Sequence, residues 1–451
     1  MNKENMLQWL EDNRKEFIEL EKKLWNRPEL AYREFYAVGQ QKEFLAGKGF
    51  TICDAGDHET AFYAEYGSGK PVIAVLGEYD ALPGMSQEVC SYRSPIEGQG
   101  AGHACGHNLI GTAGVAAVCA IKEAMEKQGF SGTIRYYGCP AEEEYSGKIP
   151  MLESGCFNDV DCSIIWHPQD ITGVSKKQYY SALSTLRIEF KGETGQSVAA
   201  QKYGGSALHA VELTATGIQY LREFIWDYHK LNYCITKAGE RANLIPETTE
   251  LFCTFRTKKK EQIKKIQNRI LEIAGGAAVM SGTDMHYEVI EELYNDLENT
   301  VLVDVILANM KEMGRVEYTP QELQFSQELA GTLAEGAAGR VAEFYSIPEE
   351  DMTGCLHTGI VKKDELIYLP SDDAGNISWM TPFGTFLATM TPVGMPMHCW
   401  QATALSGSTI GEKCMMYAAG VMAGSVYDLF NKKELLPEIQ KEFVEKTGSC
   451  R

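Results

Sequence analysis

The chain has 451 residues, 44% of them hydrophobic and 23% charged, enough for about two or three domains around a sizeable core. Its formal net charge of -20 argues against nucleic acid and anionic membrane as partners, because both repel an acidic surface. Three features predict a cytoplasmic protein with reduced thiols: thirteen irregularly spaced cysteines, charges where a secretion signal needs an apolar core, and no apolar run near the roughly 18 residues that span a bilayer.

Taken in chain order, residues 4–26 carry apolar side chains at helical spacing (Met6, Leu10, Phe17, Leu20, Leu24) and stop before Pro28. A second helix is expected over 32–48, with Gly49 as its stop. Ala61–Tyr66 and Pro71–Gly77 read as strands on either side of the turn Gly67-Ser-Gly-Lys. The second is apolar throughout, as a strand buried in a parallel sheet should be. An Ala- and Val-rich helix follows over 109–128, then strands Thr133–Gly138 and Cys162–Trp166. This rhythm predicts an α/β fold with a mostly parallel sheet and a site at the carboxyl ends of its strands.

Near residue 180 the pattern changes. Ser184–Phe190 alternates like a half-exposed antiparallel strand. A helix is expected over 206–230, a strand over Thr249–Arg256 and a charged helix around 259–274. From about 297 helices and buried strands return, including Leu366–Leu369 and a packed helix over 412–430. The simplest organisation is a discontinuous domain of 1–183 and 295–451, interrupted by an inserted α+β module of 184–294.

The polar residues of chemical interest lie at the predicted strand ends. His103, Cys105 and His107 fall within five positions, although only 9 of 451 residues are His. Alternate side chains of an extended segment face the same way, so Cys105 and His107 can converge on one point. A thiolate and a neutral imidazole are first-choice ligands for a borderline-soft divalent metal; the alternative is a Gly-rich turn whose His and Cys merely pack. Strand 72–76 runs into Glu78 and Asp80, with Asp80 placed to accept a hydrogen bond from a metal-bound His. Otherwise these are turn carboxylates facing water.

Three consecutive glutamates, Glu142 to Glu144, follow the strand 133–137 and repel one another unless a cation offsets them. In a metal hydrolase one such carboxylate binds the ion and a neighbour takes a proton from water; an isolated run of this kind is otherwise a solvated loop. Pro168 keeps the backbone extended at His167 and so aims its imidazole. His398 follows a Pro/Gly-rich loop, and its rival His357 lacks a carboxylate or strand-end context. Cys105, His107, Glu143, His167 and His398 are too many ligands for one catalytic zinc with an open position, and about right for two metals sharing a water.

The order Glu78-Tyr-Asp-Ala-Leu-Pro, Gly102-His-Ala-Cys-Gly-His-Asn, Pro140-Ala-Glu-Glu, Trp166-His-Pro and a late His resembles the M20 metallopeptidase/amidohydrolase family over nearly the whole chain. Within it the chain is most similar to subfamily D, the branch of aminobenzoyl-glutamate hydrolase-like enzymes, aminoacylases and certain dipeptidases. The resemblance implies Cys105, His107, Glu143, His167 and His398 as ligands of about two divalent ions, Zn²⁺ or Mn²⁺. It implies Glu142 as general base and Asp80 as the carboxylate that orients the site. Glu78 stands where other branches have a ligand His, and Asn108 matches an Asn of the aminobenzoyl-glutamate-like members.

The same resemblance makes residues 184–294 a lid and dimerisation domain of a homodimer, with room for a second, related subunit. Gln196 replaces the family His that reaches into the partner subunit's site. An amide can donate to an oxyanion but cannot supply an imidazolium's charge. Asn243 and Arg256 match residues that grip a substrate carboxylate, the alternatives being an Asn cap and a surface Arg. The implied activity is hydrolysis of a small-molecule amide: an N-acyl amino acid such as an acyl- or aroyl-glutamate, or a dipeptide. A metal-binding relative that has lost turnover is the reading from another class.

Overall fold

The computed structural model describes residues 2–196, 205–225, 230–363 and 370–448. They divide into two compact units, one of Met1–Tyr179, Leu297–Leu369 and Asn376–Arg451, the other of Tyr180–Asp296 with Pro370–Gly375.

The large unit is built on an eight-stranded sheet. Its centre is four parallel strands in the order Gly132–Cys139, Val72–Glu78, Cys162–Gln169 and Phe383–Thr389. Every residue of Val72–Glu78 and Gly132–Cys139 is buried, which explains the apolar run Val72–Gly77; in the second strand the charge of Arg135 is met by Glu65 and Asp159. Phe62–Ser68 and Val72–Glu78, which flank the Gly67 turn, do not pair with each other. Gly132–Cys139 lies between them, antiparallel to the first and parallel to the second. A further strand, Thr51–Asp54, adds an antiparallel edge; its four residues are too few for a periodic signal.

Helix His107–Gln128 is long and apolar enough to cross a membrane by composition, yet it is buried in the core of this unit. It packs against the sheet and against helix Thr409–Asn431. Gly111 permits the approach, since a Cβ there would lie 2.5 Å from the Glu78 carbonyl oxygen. Residues 4–26 form two helices, Lys3–Asp12 and Arg14–Asn26, instead of one. At Asn13 the side-chain amide donates to the Trp9 carbonyl at 2.7 Å, competing with the helical backbone where the chain turns.

The small unit has a four-stranded antiparallel sheet in the order Lys230–Lys237, Thr248–Thr257, Ala182–Lys191, Asp284–Leu293. Helices Ala207–Leu221 and Lys260–Ser281 cover it, and Leu186, Ile188, Phe190, Val211, Leu251, Phe255 and Ile270 form its core. The helix expected over 206–230 is corrected. It ends at Leu221, passes into a 3₁₀ turn over Arg222–Phe224, and Lys230 opens a strand. Arg222 donates to the Leu231 carbonyl at 2.6 Å, tying the end of the helix to this strand. Pro370–Gly375 joins this unit because Ser181 N–H donates to the Pro370 carbonyl at 2.7 Å. The strand expected at Leu366–Leu369 lies outside the described residues.

Candidate metal centre

Three parallel strands of the large unit end at one edge of the sheet, with Glu78 level with Cys139 across the first pair. Glu78 closes its strand, and Asp80 lies two residues beyond it. After Cys139 the chain turns through Ala141, at φ +54°, into a single helical turn, Glu142–Tyr145. The three glutamates therefore begin a short helix instead of lining a loop. His167 is inside its strand, two residues before the end, held extended beside Leu387 of the neighbouring strand.

His107 opens the long core helix. The preceding Gly106 is left-handed at φ +80°, and a Cβ there would lie 2.7 Å from Pro168. Glycine is needed twice over at this point, for its backbone angle and for the approach that sets His107 beside His167. His398, itself at φ +60°, is tied in by its backbone N–H, which donates to the Ala104 carbonyl at 3.1 Å.

Asp80 organises the centre. One carboxylate oxygen takes Nδ1 of His107 at 2.8 Å, and the other accepts the backbone N–H of Glu143 at 2.9 Å. The first bond puts the proton of a neutral ring on Nδ1 and leaves Nε2 as a lone-pair donor. Nε2 of His107 is 3.3 Å from Glu78 Oε2, and Nε2 of His167 is 3.5 Å from the same oxygen. On the other side, His398 Nε2 lies 3.5 Å from Glu143 Oε2.

Among the described residues, donor atoms gather as Glu78, His107 and His167, as Cys105, Glu143 and His398, and as His107, Glu142 and Glu143, each set within 4.8 Å. Glu78 Oε2 and His107 Nε2 are buried with no hydrogen-bond partner. Leaving such atoms unpaired is costly, and two of them facing each other suit a cation. The mixed sulfur, nitrogen and oxygen set suits a borderline-soft divalent ion. Charge points the same way, since Glu78, Asp80, Glu142 and Glu143 crowd around these imidazoles.

Burial pushes the Cys105 thiol well up, Glu143 adding to the effect; a cation at the sulfur would favour the thiolate. Burial alone would also raise the Glu78 carboxyl, but the Lys148 ammonium, then His107 and His167, hold it well below the usual range. Lys148 is fully buried and its Nζ donates to Glu78 Oε1 at 2.5 Å.

The five residues expected as ligands, together with Glu142 and Asp80, thus lie at one place. Glu78, which stands where other branches have a ligand His, offers a donor atom here as well, and its partner Lys148 is one that the sequence does not announce. Lys148 follows the turn Ser146-Gly147 with no pattern to mark it, and only the fold carries it to Glu78. His103 is buried, its basicity lowered to about 3 by burial and then by His107. His357 is elsewhere in this unit, accepting the Thr172 N–H at 3.0 Å. Asn108 is buried and donates to Glu21 at 2.6 Å and to the Ser406 carbonyl at 3.3 Å, fixing the start of the core helix.

In the small unit, the backbone of Gln196 pairs with Leu244, next to the exposed Asn243. Arg256 lies on the strand Thr248–Thr257 and donates to Ser371 Oγ at 2.6 Å.

Comparison with known proteins gives this geometry a context. Residues 74–356 match the model of Peptidase family M20/M25/M40. The chain is 31% identical over 454 residues to one of the subunits of p-aminobenzoyl-glutamate hydrolase of Escherichia coli (strain K12), covering 98% of this chain and 94% of that protein. It is 25% identical over 438 residues to the Xaa-Arg dipeptidase of Mus musculus, covering 94% and 88%. Its fold is also that of a dinuclear metal binding peptidase of Bacillus subtilis, with a TM-score of 0.62 at 18% identity over 93% of this chain and 98% of the other.

Proposed function

The chain belongs to Peptidase family M20/M25/M40, and from that premise we propose that it is a two-metal amidohydrolase that cleaves N-acyl amino acids, an acyl- or aroyl-glutamate foremost. The observation that carries this reading is the meeting of two donor triads beside the carboxylate pair Glu142–Glu143 at parallel strand ends. In it Cys105, His107, Glu143, His167 and His398 would hold two divalent ions, Zn²⁺ or Mn²⁺. When bound, such ions polarise an amide carbonyl and lower the pKa of water.

Glu142 is the general base, taking a proton from the attacking water and returning it to the leaving nitrogen. Asp80 keeps His107 in the tautomer a ligand needs and fixes the backbone that carries Glu143. Arg256 and Asn243 are the groups for a substrate carboxylate, the planar guanidinium being suited to a two-oxygen acceptor. The acyl-glutamate preference rests on the relative from p-aminobenzoyl-glutamate hydrolase, whose name as one subunit of that enzyme also supports a second, related chain.

The assembly is a homodimer formed through the small unit, with Gln196 serving the site of the partner subunit. Tyr220, Phe224, Val279, Met280 and Tyr287 of that unit are exposed, and large apolar side chains left in water are suited to burial against a second copy. Twelve cysteines are free among the described residues, which fits a reducing, cytoplasmic setting.

The test is hydrolysis by protein loaded with Zn²⁺ or Mn²⁺, offered N-acyl-glutamates and free-amine dipeptides side by side. Release of glutamate from the acyl substrates is expected. Turnover of dipeptides alone would make the protein a dipeptidase, and no turnover of either class with either metal would end the amidohydrolase reading.

A further inference from the structure

The short helix Glu142–Tyr145 cannot hold itself in place. It is a single turn, with the Tyr145 N–H bonded to the Ala141 carbonyl at 3.1 Å, and an isolated turn of that length is unstable. It is also bracketed by two non-glycine residues in the left-handed region, Ala141 at φ +54° and Ser146 at φ +54°. Such angles are disfavoured for residues with a Cβ and persist only where the surroundings impose them. Asp80 secures the Glu143 N–H; the entry to the turn is secured by a residue far off in sequence.

That residue is Glu34, fully buried at the start of helix Phe35–Gly47. Its Oε1 accepts the Ala141 N–H at 2.8 Å and the Tyr32 N–H at 2.9 Å. Tyr32, at φ +58°, is a third left-handed residue, so one carboxylate oxygen pins two strained positions of separate loops. The neighbouring Glu29 braces the same region. Its carbonyl accepts the Ala81 N–H at 2.8 Å, next to Asp80, while its carboxylate accepts the N–H groups of Tyr36 and Ala37. Segment 29–34 therefore grips both loops that carry the acidic residues of the centre.

A buried carboxyl is an expensive filler where an apolar side chain would serve. Burial, and after it the nearby Asp80, pushes the Glu34 carboxyl up to about 7. An acid kept at that cost has a task that an apolar side chain cannot do, and the task on view is accepting the two strained N–H groups.

We propose that Glu34 is a positioning residue that holds the Ala141 turn and thereby aims Glu142 and Glu143. Its effect on turnover rests on the amidohydrolase reading; its effect on the turn does not. The experiment compares wild type, Glu34→Ala and Glu34→Gln by hydrogen exchange of peptides covering 140–147, by bound zinc, by thermal melting, and by kcat and KM on an N-acyl-glutamate. In Glu34→Ala the 140–147 amides should exchange at least about tenfold faster, and kcat should fall roughly 10- to 100-fold with KM changed far less, as a small misplacement of reacting groups does. Bound zinc should stay near wild type. Glu34→Gln, whose amide oxygen can still accept both N–H groups, should restore protection and most of kcat.

Unchanged exchange in Glu34→Ala would overturn the proposal, as would Glu34→Gln behaving like Glu34→Ala, or lost protection with kcat intact. Should Glu34→Ala not fold, Glu34→Asp, one methylene short, supplies the same comparison. If the wild type hydrolyses no amide, the functional reading falls on its own while exchange still decides whether Glu34 holds the turn.

Discussion

In the large unit, Glu78, Asp80 and His107 are buried, and one carboxylate, Asp80, joins a histidine ring to the backbone of a neighbouring segment. In the small unit, Asn243 is exposed at the end of a two-residue ladder, and Arg256 spends a guanidinium bond on Ser371 within its own unit. The first arrangement is a pre-organised centre, where burial makes each polar contact count and each missing one costly. The second is a set of side chains whose use depends on something they meet. On the proposed reading, chemistry belongs to the first, and recognition and assembly to the second.

The sharpest way to break that division is at Glu142. Glu142→Gln should lower kcat by about 10²–10⁴-fold, the usual worth of a general base, with metal content near wild type. Glu143→Gln should instead lower bound metal, read by elemental analysis of the dialysed protein. A fully active Glu142→Gln beside a dead Glu143→Gln would exchange the two roles.

Next in size is Gln196→Ala, expected to cost kcat up to about 10²-fold, on the scale of one oxyanion donor, without changing bound metal. Mixing inactive Glu142→Ala chains with Gln196→Ala chains should recover activity if each site borrows from its partner. A monomer in solution, or no recovery from a mixture shown to exchange subunits, would confine the small unit's role to one chain.

The smallest effect is on stability. Burial drives Glu21, the acceptor of Asn108, up to about 8. A carboxyl raised on folding is protonated in the folded chain while the unfolded chain ionises. Its stabilising influence is therefore complete below the unfolded value of 4.5 and is lost as pH climbs toward 8. Glu21→Gln should remove that slope, which is at most about 1.4 kcal/mol per pH unit, from melting curves taken between pH 5 and 8. An unchanged slope would mean that Glu21 ionises freely in the fold.

The local patterns are sufficient for three of the four central parallel strands, the core helix and the residue types of the candidate centre, while the strand Phe383–Thr389, interrupted by Thr385, goes unmarked. A buried strand reads as an unbroken apolar run, and metal chemistry restricts its ligands to a few side chains that cluster at strand ends. Sequence alone thus brought Cys105, His107, Glu142, Glu143, His167 and His398 to notice. It did not bring Glu34 or Lys148, because their importance comes from partners 107 and 70 residues away, and no local period records such a pairing. The helix expected over 206–230 is likewise shorter, ending at Leu221, where Arg222 bonds the Leu231 carbonyl of a strand that no local period ties to it. Composition and periodicity determined which segments become strands and helices and which residues are equipped for metal chemistry. The tertiary structure alone decided which buried acid braces the Ala141 turn and which ammonium lies against Glu78, because hydrogen-bond partners are set by where the chain packs and not by their order along it.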